Sequence, residues 1–339
     1  MSERIPVNVL TGFLGSGKTS LLNRLLRDPS FANCAVLINE FGSVGIDHHL
    51  VDHVVGEMVL LQSGCICCTI RGDLAAALRE LYERRDSGII PRFTRVVVET
   101  TGLADPVPVV ATVMYDRVLQ HHFRAGNVIT TVDALNGGRN LDTHPESLKQ
   151  VALADRLVLT KVDLSTDTQV EHLIARLQSI NPAAALVRTQ ASVVSAQHLL
   201  GDDVFDVESK SQEVMRWLRA ANNRQFLALR RTPVPNRHDE TQAFVIELPA
   251  ALDWTVFSVW LSLLLHLHGD HVLRVKGLLN IAGADTPVVL QGVQRLVYTP
   301  THLARWPDEN RQSRLVFIVR GLDPSSIESS LLDYLARYS

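Results

Sequence analysis

Over the first two hundred residues, short continuous apolar runs alternate with segments of helical spacing. Ile5–Leu10, Ala35–Ile38, Arg95–Val98, Asn127–Val132, Arg156–Leu159 and Ala185–Val187 are short runs rich in apolar and β-branched residues, which read as buried strands. Val54–Leu61 reads as a further strand, with Gly56-Glu57 as a turn or bulge inside it. Between these runs, Lys18–Leu26, Pro145–Ala152 and Thr168–Ile180 repeat their apolar residues every three or four positions. So does a segment from about Gly72 to Arg84, with Leu74, Ala77, Leu78 and Leu81 on one face. Asp28-Pro29 stops the first helix. Such alternation predicts an α/β fold, a mostly parallel sheet with helices on both faces.

The pattern loosens from about Gly201 to Glu240, through acidic, then basic, then proline-containing stretches ending in Thr232-Pro233-Val234-Pro235. Beyond it, Gln242–Leu248 is strand-like and Asp253 caps a helix rich in Trp254, Phe257, Trp260, Leu261, Leu264 and Leu265. Short strands follow at Val272–Ile281, Pro287–Leu290, Arg295–Tyr298 and Leu315–Arg320, then a terminal helix over Pro324–Tyr338. The expected organisation is a nucleotide-binding domain over 1–200, a linker over 201–240 and a smaller α+β domain over 241–339.

Composition changes this picture little. A chain of 339 residues with 46% hydrophobic and 20% charged positions is ordinary for a globular protein of two domains. A formal charge of -3 argues against nucleic acid as the main partner. Arg216, Arg219, Arg224, Arg230, Arg231 and Arg237 read as a solvated helix face and linker. Met1–Pro6 is too short and polar for a signal peptide, and Val256–Leu267 is too short to span a bilayer, so the expected location is the cytoplasm, with no membrane partner. Of four cysteines, three fall together at Cys65, Cys67 and Cys68. A disulfide framework would disperse them, so metal or redox chemistry is the question they raise.

The strongest chemical signal is Gly12-Phe13-Leu14-Gly15-Ser16-Gly17-Lys18-Thr19, which fits G-x-x-x-x-G-K-[ST] between a strand and a helix. Gly12, Gly15 and Gly17 allow backbone N–H groups, with Ser16 and Ser20 nearby, to curl round phosphates without Cβ clashes. The helix N-terminus adds its dipole, Lys18 a point charge, and the Thr19 hydroxyl a ligand for Mg²⁺. Asn39–Asp47 lies where a phosphate-sensing loop belongs, and Asp47 there is a candidate oxygen for Mg²⁺. Glu99 closes a buried strand ahead of Gly102, so its carboxylate can reach the Mg²⁺ shell while the Gly102 N–H senses the γ-phosphate. Thr160-Lys161-Val162-Asp163 ends a later strand. The Asp163 carboxylate can accept both guanine N1–H and N2–H, and the Lys161 stem can lie over the base, which favours GTP over ATP.

Cys65-Ile66-Cys67-Cys68 is the second signature, since soft thiolates hold Zn²⁺ and related ions in four-coordinate sites. Strictly extended backbone would put Cys65 and Cys67 on one face and Cys68 on the other, so convergence needs a turn, which Gly64 permits. Glu40 and the histidines His48, His49 and His53 are candidates for a fourth ligand. Burial as small core residues and redox sensing are the other readings of the cluster. His266, His268 and His271 at a helix end form either a second metal site or a set of histidines favoured there by the helix dipole.

Taken together, the phosphate loop, Asn39-Glu40-Phe41-Gly42, Gly64–Cys68, Glu99–Pro106 and Thr160–Asp163, in this order, resemble the CobW-type metallochaperone GTPases, P-loop proteins related to the hydrogenase- and urease-maturation GTPases. Leu273–Gly277 and Arg314–Asp323 resemble that family's C-terminal domain, so the likeness spans nearly the whole chain. It implies slow GTP hydrolysis coupled to delivery of a metal, zinc or in some branches cobalt or iron, to a client protein or pathway. GTP/GDP and Mg²⁺ would then be the cofactors, Cys65, Cys67 and Cys68 with Glu40 the metal site, and Lys18, Glu99 and Glu40 the candidate catalytic groups. The client would dock through the C-terminal domain of a monomer or homodimer. A regulatory, metal-sensing GTPase is the alternative function. Ser43 stands where many relatives carry Glu, which removes one oxygen ligand, and the long histidine tract of some branches is absent, so bulk metal storage is not implied.

Overall fold

The computed structural model describes residues 4–28, 31, 33–38, 59–62, 70–189, 199–200, 214 and 241–338. Its contacts divide the chain into two compact units, Met1–Leu173 with Leu186–Asp203, and Ile174–Ala185 with Val204–Ser339.

In the first part of the chain the strands are Ile5–Gly12 (β1), Cys34–Ile38 (β2), Val59–Gln62 (β3), Arg95–Glu99 (β4), Phe123–Asp133 (β5), Arg156–Thr160 (β6) and Ala185–Arg188 (β7). The helices are Lys18–Leu25 (α1), Ile70–Asp86 (α2), Val107–Tyr115 (α3), Leu119–His122 (α4), Gly137–Thr143 (α5), Pro145–Leu153 (α6) and Asp167–Ile180 (α7). The strands form one sheet in the order β3-β2-β4-β1-β5-β6-β7, and the pairs from β3 through β6 are all parallel. The apolar runs are continuous because helices cover both faces. Leu21, Leu22 and Leu25 of α1 pack with Leu10, Val36, Val97, Ile129 and Val158, while α3 and α6 lie against β1 and β5.

Helix α3 departs from what its composition predicts. Val107-Pro-Val-Val-Ala-Thr-Val-Met-Tyr is rich in β-branched residues, which lowers helix propensity. Burial of Val109, Val110, Ala111 and Val113 overrides that local preference. Pro108 is harmless in the first turn, where its N–H has no intrahelical partner to lose. The described part of the Val54–Leu61 run belongs to strand β3, Val59–Gln62, which ends one residue beyond the expectation.

The strands of the C-terminal part are Thr241–Leu248 (β8), Val272–Leu279 (β9), Val288–Val293 (β10), Leu296–Val297 (β11), Thr301–His302 (β12) and Ser313–Arg320 (β13). They form an antiparallel sheet ordered β11-β10-β9-β13-β8, with β12 on β10. The helices Trp254–His268 (α8) and Pro324–Tyr338 (α9) supply Phe257, Trp260, Leu261, Leu264, Leu265, Ile327 and Leu331 to a core with Phe244, Ile246, Leu315 and Phe317. The alternation in β8 and β13 is the period-two pattern of a strand with one helix-covered face. The opposite face is also covered, by a smaller cluster that includes Val245, Leu278, Val289 and Val316. Arg314 is buried at the end of this face and makes a bidentate pair to Asp308 at 2.8 and 2.9 Å. Asp253 caps α8 as its position predicts, its Oδ1 accepting the Val256 N–H at 3.0 Å. Asp253→Ala is expected to lower unfolding stability by about 1 kcal/mol, readable as a shifted denaturant midpoint at unchanged slope.

Candidate functional site

Because the strands are parallel and in step, their carboxyl ends share one edge of the sheet: Leu10 is beside Glu99, Gly12 beside Thr131 and Asp133 beside Thr160. This edge is where open α/β sheets bind ligands. The Gly12–Thr19 loop leaves β1 there and enters α1 at Lys18.

Hydroxyl groups bind the underside of that loop to the sheet. Ser16 Oγ and Thr131 Oγ1 are 2.6 Å apart, Thr160 Oγ1 donates to the Ser16 carbonyl at 2.7 Å, and Thr100 Oγ1 donates to Thr11 Oγ1 at 2.8 Å. All five of these side chains are buried, so each bond is made away from competing water. Gly12, Gly15 and Gly17 have φ values of 143°, 70° and 86°, which side chains rarely adopt. At Gly12 space adds to the requirement, for a Cβ would lie 2.3 Å from Thr131 Oγ1.

Lys18 Nζ donates to the carbonyls of Gly12 at 2.9 Å and Phe13 at 3.3 Å, so its charge is folded over the concave side of the loop. Thr19 Oγ1 donates to Glu99 Oε1 at 2.8 Å, and Glu99 is 4% exposed. A hydroxyl and a buried carboxylate in contact, with a cationic loop beside them, are hard oxygen donors of the kind Mg²⁺ takes. Ser20 is exposed in the first turn of α1.

At the end of β6, Thr160 serves the loop through its hydroxyl, and Lys161 adopts a left-handed conformation with φ 55°. Lys161 Nζ reaches Asp133 Oδ2 at 2.7 Å. Burial opposes ionisation of Asp133, but hydrogen bonds from Lys161, the Asn136 side chain and the N–H groups of Leu135 and Asn136 hold its carboxyl below the usual carboxylate range. Asp163 is exposed in the short turn Val162–Leu164.

Gly102 lies against the loop after β1, since a Cβ there would stand 2.6 Å from the Leu14 nitrogen. The Gly102 and Ala104 carbonyls accept both N–H bonds of Gln150 Nε2, at 3.1 and 3.0 Å, and Asp105 pairs with Lys149 at 2.6 Å. Phe13 stacks on His144 with ring centroids 4.4 Å apart.

Glu40, Asp47, Cys65, Cys67 and Cys68, with His48, His49 and His53, lie outside the described residues. The second-site expectation for His266, His268 and His271 is corrected. His266 and His268, two apart on the helix, project about 200° from one another, and the three rings do not gather into one site. Among the described residues no group of three or more His, Cys, Asp or Glu is arranged to hold a metal ion.

Asp133, Thr131 and Gln150 were not expected from sequence. Asp133 closes β5 as Glu99 closes β4, so the same rule of an acid at the end of a buried strand would have found it. Gln150 carried no such signal, because a polar residue on a helix reads as solvated until the sheet is built beneath it.

A parallel sheet with this glycine loop between its first strand and helix defines a P-loop nucleotide-binding protein. Residues 6–188 match the family described as CobW/HypB/UreG, nucleotide-binding domain, and residues 241–335 match the cobalamin synthesis protein cobW C-terminal domain. The chain belongs to the CobW/HypB/UreG family. It is 33% identical over 314 residues to the zinc chaperone YjiA of Escherichia coli (strain K12), covering 93% of each chain. Likewise it is 27% identical over 359 residues to the zinc chaperone CobW of Sinorhizobium sp, covering 97% of this chain and 96% of that one. The crystal structure of Zn(II)-bound YjiA GTPase from E. coli superposes with a TM-score of 0.75 at 28% identity, over 98% of this chain and 99% of that one. No described helix is long and apolar enough to cross a membrane.

Proposed function

We propose that this protein is a GTP-hydrolysing metallochaperone that holds zinc at Cys65, Cys67 and Cys68, with Glu40 as a further ligand, and passes it to a client protein. The chain is a P-loop GTPase, and its near full-length relatives are named zinc chaperones. In this reading Gly12, Gly15, Ser16, Gly17 and Ser20 surround the phosphates and Lys18 neutralises them. Thr19 and Glu99, with Asp47, would hold Mg²⁺, which supplies charge neutralisation across the β- and γ-phosphates. Lys161 and Asp163 select guanine, and the Gly102 N–H meets the γ-phosphate. The client docks on the C-terminal domain in the cytoplasm.

One observation carries the link between nucleotide and metal. Ile38 is in register with both Gln62 and Glu99, so β2, β3 and β4 end side by side. At a strand spacing of roughly 4.8 Å, Gln62 is about 10 Å from Glu99. Glu40 follows β2 by two residues and Cys65 follows β3 by three, and chain length alone keeps the Cys65 Cα within about 11 Å of Gln62. Thiolates tethered there respond to any movement of the phosphate-side segments, and linkage makes the response mutual: metal and nucleotide change each other's affinity by one common factor.

Purified wild type is expected to carry zinc that Cys65→Ala lacks by elemental analysis, and zinc affinity should differ between GDP and a non-hydrolysable GTP analogue. Equal affinity in the two states removes the coupling. Zinc that binds but never reaches an apo client when GTP is added makes the protein a metal-sensing GTPase instead.

A further inference from the structure

We infer that Gln150 is a positioning residue for GTP hydrolysis, holding the Thr101–Pro106 loop so that Gly102 presents its N–H to the γ-phosphate. The inference rests on the reading of Gly102 given above and goes beyond it by naming what holds the turn that carries that group.

The geometry is specific. Gln150 is 1% exposed on α6, and its own carbonyl accepts Thr130 Oγ1 at 2.9 Å, which ties the residue to β5. Both partners of its amide are carbonyl oxygens, so the NH₂ must face them, and both hydrogens are used. A planar trans peptide carries its C=O and N–H in opposite directions. The Ala104 N–H donates to the Thr101 carbonyl at 3.1 Å, which sets the plane of the Thr101–Gly102 peptide and aims the Gly102 N–H. Gln150 sets the next plane through the Gly102 carbonyl and closes the turn at Ala104. Two consecutive peptides are thereby fixed against the Gly12–Thr19 loop, 2.6 Å being all that separates a Gly102 Cβ position from the Leu14 nitrogen.

The residue type matters. Glutamate has the same shape but an ionised carboxylate has no donor, and it would face two carbonyl oxygens. Methionine fills the same volume and donates nothing. Lys149 and Asp105 pair nearer to solvent, with side chains 28% and 36% exposed, and add little by comparison.

The test uses the full chain with Mg²⁺ and compares a non-hydrolysable GTP analogue with GDP. GDP has no γ-phosphate, so a group that only aims Gly102 leaves its affinity unchanged. Gln150→Met is expected to weaken the analogue and lower kcat about tenfold, with GDP affinity within about twofold of wild type. Gln150→Glu should show the same loss at high pH and recover part of it as pH falls, because a protonated carboxyl regains one donor. Lys149→Met should change neither ratio nor kcat. Equal weakening of GDP and analogue by Gln150→Met, or no weakening of either, overturns the inference when the wild-type Gly102 amide resonance shifts between GDP and the analogue. If that resonance is the same in both nucleotide states, it is the γ-phosphate reading of Gly102 that falls. Should Gln150→Met fail to fold, the pH response of Gln150→Glu decides alone, and a flat response overturns the inference.

Discussion

Lys18→Ala is expected to lower kcat/KM for GTP at least about a hundredfold, roughly 3 kcal/mol of transition-state stabilisation, the scale of losing one charged donor from a preorganised site. The structure makes the variant informative, because Lys18 Nζ bonds the carbonyls of Gly12 and Phe13 within its own loop. The loop is held from the opposite side by Ser16, Thr131 and Thr160, none of which the substitution touches. Unfolding stability should therefore fall by no more than about 3 kcal/mol, the upper range for hydrogen bonding by a charged group. Single-turnover hydrolysis and a denaturant titration on the same preparation check both halves. A variant that hydrolyses GTP at the wild-type rate would remove Lys18 from the phosphate site.

How much of this was legible beforehand differs by element. The glycine loop after the first strand and Glu99 at the end of β4 were readable because each follows from local chemistry: a turn that needs positive φ, an acid closing an apolar run. The order of the strands was not, since nothing in Val36 or Val97 states that β4 inserts between β1 and β2. Nor was α3, whose four valines favour a strand until burial of Val109, Val110, Ala111 and Val113 outweighs propensity. Thr160 shows the subtler gap. By motif it belongs to base recognition, yet its hydroxyl lies on the Ser16 carbonyl and makes it part of the phosphate loop's foundation. His266, His268 and His271 failed in the other direction, since closeness in sequence on a helix is not closeness in space.

The same separation of roles decides the second large effect. Asp163→Asn is expected to weaken GTP about a hundredfold or more while improving xanthosine triphosphate. A carboxylate accepts from both guanine N1–H and N2–H, whereas an Asn side chain accepts one and sets its NH₂ against the other donor. Losing a hydrogen bond to a charged group costs about 1.5–3 kcal/mol, and the unpaired guanine donor raises the loss further. Xanthine carries a carbonyl where guanine carries the amino group, so the Asn NH₂ then donates and its oxygen accepts from N1–H. Because Asp163 is exposed on its turn and Lys161 is held separately by Asp133, the exchange leaves the surrounding bonds in place. Competition of each triphosphate against labelled GDP reads the switch. Equal loss for both bases would mean that Asp163 shapes the turn and leaves the choice of base to other groups.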